Sequence, residues 1–231
     1  MGEIKIHVLR TGEVRVSPFL PFGGDDCSII KASGITTPRS KWIWLPVFSF
    51  LIEHPKGLVL FDDIDYVLLS HLDCDHANGL RLVKDAKNIL VSKEEMIGTT
   101  RKNFQIRIRF QKRWWEGVDL KTFDWNGTEG PAGKSYDVLG DGSLVMVNIP
   151  GHSEGLCALK VKNADGKHVL LFADGGYATK SWRDMITSGI TLDKKMQRQS
   201  LQWIHEQSMS PDCIESLATH DTEVQPHVIE I

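Results

Sequence analysis

At 231 residues the chain has room for one large domain or two small ones, and its 41% hydrophobic share is ordinary for a protein with a buried core. A net charge of −3, from 27 basic and 30 acidic residues, gives no reason to expect a polyanionic partner, and no run approaches the ~18 apolar residues of a membrane-spanning helix. Cys27, Cys74, Cys157 and Cys213 lie far apart with no C-x-x-C pair, and no stretch reads as a secretory leader, so reduced thiols and a cytoplasmic setting are expected.

Residues 4–9 alternate apolar with polar, which predicts a half-buried strand with His7 on its polar face. Residues 17–40 are rich in Gly and Pro, carry Phe19, Leu20 and Phe22, and predict an irregular excursion able to wall a pocket. Residues 47–53 and 58–61 flank the turn His54-Pro55-Lys56-Gly57 as a β-hairpin. A further strand over 66–69 runs into Ser70-His71-Leu72-Asp73-Cys74-Asp75-His76, which sets four potential metal ligands within six residues. Imidazoles and carboxylates at this spacing, on a loop leading to a helix at Ala77, can converge on a cation.

Residues 88–91 predict a strand, and Ser92 caps a helix beginning Lys93-Glu94-Glu95-Met96. The segment 101–115 places six Lys and Arg among Phe104, Phe110, Trp114 and Trp115. Basic residues among aromatics can bind single-stranded nucleic acid, but a solvated helix over the mouth of the site is the preferred reading. Strands follow at 144–149, 156–161 and 168–172, with Asp165-Gly166 as a hairpin turn and His168 facing solvent. A helix over 191–209 carries Leu201 and Ile204 on one face and His205 on its surface. A strand over 213–219 comes next, and His227 falls in a C-terminal tail. Three distant residues sit at or just past the ends of apolar runs: His152 in Pro150-Gly151-His152-Ser153-Glu154-Gly155, Asp174 in Asp174-Gly175-Gly176-Tyr177, and His220.

These seven residues together resemble the pattern of the metallo-β-lactamase superfamily and, within it, of the N-acyl homoserine lactonases: H-x-H-x-D-H, a histidine in a P-G-H-x-x-G turn, a bridging aspartate and a last histidine. The Asp174-x-x-Tyr177 spacing matches the lactonases as well. The resemblance implies an α/β (α+β) chain folded as an αββα sandwich, one domain over residues 1–231. It implies two divalent ions, zinc foremost, with His71, Asp73 and His152 at the first site, Asp75, His76 and His220 at the second, and Asp174 bridging. It further implies a metal-bridging hydroxide as nucleophile, Asp75 passing a proton to the departing alcohol, and Tyr177 contacting the substrate. The implied reaction is hydrolysis of an ester-like bond in a small molecule, a lactone foremost, as in quorum quenching, with no nucleic-acid or membrane partner.

Two features depart from the pattern. Asp73 stands where the family has its second histidine, adding a negative charge and a hard oxygen donor. Such a centre is a weaker Lewis acid and leans toward manganese or iron. Three outcomes follow in order of preference: a retuned zinc hydrolase, a manganese or iron enzyme, or a centre with only the second site filled. Separately, only Asp62, Asp63, Ile64 and Asp65 separate two strands that are parallel in the family, a geometry that needs a crossover of about a dozen residues. A segment missing between Asp62 and Asp63 is therefore expected. The alternatives to a lactonase are a thioester or other ester hydrolase of the same fold, a di-iron redox protein, and a catalytically weakened binding protein.

Overall fold

The computed structural model describes residues 2–59 and 65–231. In chain order these give β1 (Lys5–Val16), α1 (Phe19–Phe22), α2 (Ile29–Ala32), β2 (Ile43–His54), β3 (Gly57–Val59), β4 (Tyr66–Leu68), α3 (Cys74–Ala77), β5 (Asn88–Ser92), α4 (Lys93–Gly98) and α5 (Phe104–Arg109). The second half holds β6 (Leu120–Phe123), β7 (Ser135–Asp137), β8 (Leu144–Asn148), β9 (Cys157–Lys162), β10 (His168–Ala173), α6 (Thr179–Arg183), α7 (Lys194–Ser208), β11 (Cys213–Ala218) and β12 (His227–Glu230). One sheet has the order β12-β1-β2-β3-β4-β5-β6 and the other β11-β10-β9-β8-β7.

The two-residue period of each strand sorts its side chains into layers. In β10, Val169 and Leu171 share a core with Ile6, Val8, Phe48 and Ile52 of the first sheet, while Leu170 and Phe172 turn outward onto Leu201 and Ile204 of α7. In β5, Ile89 and Val91 pack with Ile106, Phe110 and Trp115, and Leu90 meets Met146 and Cys157 of the second sheet. Strands covered on both faces read as continuous apolar runs, which is why 88–91 and 169–172 lack polar alternation. The layers are helix, sheet, sheet, helix, the expected αββα arrangement. Leu201 and Ile204 are fully buried, worth about 1.5–3 kcal/mol each, enough to seat α7 on the second sheet.

Several expectations hold in detail. The hairpin pairs Ile52 with Val59 and His54 with Gly57, and β3 runs parallel to β4 through Val59 and Tyr66. The expected gap between Asp62 and Asp63, and residues 60–61 of the hairpin's second strand, lie outside the described residues. Others need correction. His168 is 3% exposed, because β10 is covered on both faces. His227 opens β12, which pairs antiparallel with β1. The helix over 191–209 starts later, with the Asp193 carboxylate accepting from Met196 N–H at 2.9 Å, while Thr191 Oγ1 donates to the Gly151 carbonyl at 2.5 Å. His205 packs edge-on against Trp182. The 17–40 excursion holds two short helices and is tied down by Lys194, whose ammonium donates to the carbonyls of Gly24 and Asp25. Among the described residues no helix is long and apolar enough to cross a membrane.

Candidate metal centre

Each expected ligand lies shortly after the C-terminal end of a strand: His71, Asp73, Asp75 and His76 after β4, His152 after β8, Asp174 after β10, His220 after β11. Strands β10 and β11 are parallel, so Asp174 and His220 emerge at the same end. Ala173 takes φ 45° just before Asp174, a left-handed conformation that costs a residue with a Cβ about 1–2 kcal/mol. That turn delivers the Asp174 carboxylate to the site.

Glycine is required on both sides of His152. A Cβ on Gly151 (φ +135°) would sit 2.3 Å from the Gln197 backbone nitrogen, and one on Gly155 would sit 2.1 Å from that of Glu95. The P-G-H-x-x-G turn is thus wedged between α7 and α4. Glu95 then locks it to the β4 loop: its buried carboxylate accepts from Leu72 N–H (3.1 Å), Ser153 Oγ (2.7 Å) and Gly155 N–H (3.0 Å). Sequence reading placed Glu95 only as a helix-start residue, three positions after the Ser92 cap.

Three histidines have Nδ1 against an oxygen: His71 on Ser70 Oγ (3.0 Å), His152 on the Ile190 carbonyl (3.2 Å) and His220 on the Pro46 carbonyl (2.8 Å). An Nδ1–H donated to a carbonyl leaves Nε2 with a lone pair directed into the site. Asp174 stands between two groups. Its Oδ2 is 3.9 Å from His71 Nε2 and 3.6 Å from His152 Nε2, and its Oδ1 is 3.3 Å from Nε2 of both His76 and His220. Asp75 Oδ2 lies 3.3 Å from His220 Nε2. Donors around an ion with bonds of about 2.1 Å sit roughly 3.4 Å apart. Among the described residues, two clusters have donors close enough to share a cation: His71, His152 and Asp174, and Asp75, His76 and His220.

Nε2 of His71, His76 and His220 and Oδ1 of Asp174 are buried with no hydrogen-bond partner. Buried polar atoms are normally paired, so unpartnered donors gathered on the two sides of Asp174 fit a bound cation. The electrostatics agree. Burial opposes charge on His76 and His220, yet the carboxylates of Asp174 and Asp75 raise both above the ordinary imidazole range. His71 goes the other way, pushed down to about 4 by burial and by its neighbour His76.

Asp73 lies beside the first cluster, its Oδ2 2.9 Å from His152 Nε2 and 3.5 Å from His71 Nε2, but it is held by a cation of the chain's own. Both of its oxygens accept from Arg109, Oδ1 from Nε at 2.9 Å and Oδ2 from Nη2 at 2.6 Å. Burial would raise this carboxyl, but the guanidinium, with His152 and His71, holds it well below the usual range. Arg109 also donates from Nη1 to the His152 carbonyl (2.9 Å), and its Nη2 lies 2.7 Å from His152 Nε2. The Arg109 side chain is 10% exposed, so the expected solvated helix over the mouth instead sends a buried arm into the site. The one available signal was indirect: a carboxylate replacing a neutral ligand calls for a cation.

Tyr177 is buried, stacked on the His220 ring at 5.3 Å and edge-on to His152 at 5.9 Å. Burial, reinforced by Asp174 and Asp73, keeps its phenol protonated. A cavity of about 500 Å³ opens on Asp75 and His76 and runs between the sheets past Phe50, Met146, Leu159 and Leu171.

Residues 62–165 match the family described as the metallo-beta-lactamase superfamily. The chain is 29% identical over 171 residues to the N-acyl homoserine lactonase AttM of Rhizobium radiobacter, covering 67% of this chain and 60% of that one. It is 31% identical over 135 residues to the gamma-lactamase MBL2 of Gibberella moniliformis, covering 54% and 53%. The matched part thus spans about three fifths or less of these relatives. Among solved structures it is similar to an N-acyl homoserine lactone hydrolase with N-hexanoyl-L-homoserine at its catalytic metal centre, with a TM-score of 0.74 over 96% of this chain and 95% of that one at 18% identity. The chain has the metallo-β-lactamase fold, is similar at residues 62–165 to that superfamily's model, and resembles the N-acyl homoserine lactonases.

Proposed function

We propose that the chain is a metal-dependent hydrolase that opens lactones, N-acyl homoserine lactones foremost. What carries this reading is the convergence of four unpartnered buried donors, on His71, His76, His220 and Asp174, in a chain similar to lactonases. Asp75, His76, His220 and Asp174 would hold a divalent ion, zinc foremost. Such an ion polarises a carbonyl and lowers the pKa of water, so no serine or cysteine nucleophile is needed. Cys74 is unsuited to that role, its thiol pushed up to about 11 by burial and by Asp75 and Asp73.

The remaining work falls to this chain's own side chains. Tyr177 donates a hydrogen bond to the carbonyl oxygen as charge develops on it. When the tetrahedral adduct collapses, the ring C–O bond breaks and its electron pair stays on the alcohol oxygen. Asp75 hands that oxygen the proton removed from the attacking water, so one water is consumed and an open hydroxy acid leaves. The apolar cavity beside Asp75 and His76 takes the acyl chain. Four free cysteines support a cytoplasmic setting for this reaction.

The test is ring opening of a graded series of N-acyl homoserine lactones, read by mass spectrometry as the gain of one water. Turnover that a chelator abolishes and zinc restores is the expected result. Hydrolysis of simple esters or thioesters but of no lactone would overturn the substrate, and no hydrolysis of any of them would overturn the enzyme reading.

A further inference from the structure

The two clusters are not equally available to a cation. At Asp75, His76 and His220, with Asp174 beside them, the imidazole Nε2 atoms have no hydrogen-bond partner, and the cavity opens there. At the other cluster His71 Nε2 is also unpartnered, but the corresponding atom of His152 is engaged. Its Nε2 lies 2.7 Å from Arg109 Nη2 and 2.9 Å from Asp73 Oδ2, so it is held within the Arg109–Asp73 pair and is not free for an ion. A guanidinium keeps its proton under all ordinary conditions and has no lone pair to offer a metal. It therefore competes with an ion for His152 and cannot join it as a ligand.

The guanidinium is also fixed. Asp73 grips it on one side, through Nε and Nη2, and the His152 carbonyl receives Nη1 on the other. Two buried planar groups hydrogen-bonded in this way form a strong and specific pair. The charges fit one ion as well. Asp73 and Arg109 cancel, and one divalent ion against Asp75 and Asp174 leaves the buried centre neutral. Two ions would leave it at +2 before any anion is added, with the guanidinium a few ångströms from the second.

We propose that Arg109 occupies the first half of the centre as a built-in cation, so that the chain binds one divalent ion, at Asp75, His76, His220 and Asp174, and not two. This rests on the reading of the site as a metal centre, but not on any substrate. Asp73 is then not a ligand but the anchor that holds Arg109 in place.

The experiment is elemental analysis of the full chain after zinc loading and removal of free metal, for the wild type, His71→Ala and the double variant Asp73→His with Arg109→Met. The expected contents are about one zinc per chain in the wild type, still one in His71→Ala, and two in the double variant, which restores a neutral donor and removes the guanidinium without orphaning a carboxylate. Circular dichroism confirms that each variant is folded; if the double variant does not fold, the wild-type and His71→Ala contents decide. Two zinc ions in the wild type, none, or loss of zinc in His71→Ala would overturn the proposal, as would a folded double variant that stays at one. One zinc with no lactone opened would overturn the function above and leave this standing. Lactone opening with two zinc ions would do the reverse.

Discussion

His220 and His152 are built alike: each follows a strand of the second sheet, each is buried, and each has Nδ1 at a backbone carbonyl. Their Nε2 atoms differ. That of His220 has no hydrogen-bond partner, while that of His152 lies 2.7 Å from Arg109 and 2.9 Å from Asp73. Nothing in the sheets causes the difference. It comes from Asp73 on the loop after β4 and from α5, a six-residue helix outside the sheets, which sends Arg109 inward. A ligand's type and its strand-end position establish that it can bind a cation; what else reaches its lone pair decides whether it does.

The sharpest way to break the comparison is to remove the two histidines in turn. His220→Ala is expected to lose the bound ion and all metal-dependent turnover, whereas His152→Ala keeps about one ion per chain by elemental analysis. Equal loss in both would erase the distinction. The next effect is on stability. Arg109→Ala leaves Asp73 buried and uncompensated, at a cost of about 3–5 kcal/mol. For a chain of this size that lowers the melting temperature by roughly 10 °C. Adding Asp73→Asn is expected to recover most of it in a thermal melt.

Tyr177 touches both histidine rings, so it tests the chemistry and not the occupancy. Tyr177→Phe should lower kcat by about a hundredfold with metal content unchanged, the size expected for one lost donor to a developing oxyanion. A variant with wild-type kcat would remove the tyrosine from the mechanism.

The smallest effect lies away from the centre. Burial, with Lys160 and Lys162 nearby, pushes His168 down to about 4. Its ordinary pKa is about 6.5, so the folded state favours the neutral ring. That contribution is complete above pH 6.5 and is lost as pH falls from there toward 4. Between pH 7 and pH 5 the wild type should lose about 2 kcal/mol of urea-measured stability through this group. His168→Gln should show a correspondingly flatter profile, and identical profiles would contradict the assignment.

The candidate donors and the strand ends that gather them were legible because both are local: an apolar run, then His or Asp. So was the sandwich, through resemblance. What was not legible depends on distant partners. Asp73 occupies a ligand position of the pattern, and nothing in the adjacent residues reports that Arg109, 36 positions on, meets it. The 101–115 segment read as solvated from its charge count, yet Ile106, Phe110 and Trp115 carry it onto the first sheet and bury Arg109. His168 was misplaced for the same reason: a polar residue at a run's edge looks exposed until the neighbouring strand is known, and His227, read as tail, is exposed on a strand paired with β1.

The most direct test of the unequal halves is anomalous diffraction at the zinc edge from crystals grown with zinc. The account requires a single peak among Asp75, His76, His220 and Asp174, with Arg109 still hydrogen-bonded to Asp73. A second peak of comparable height between His71 and His152, with the guanidinium displaced, would contradict it.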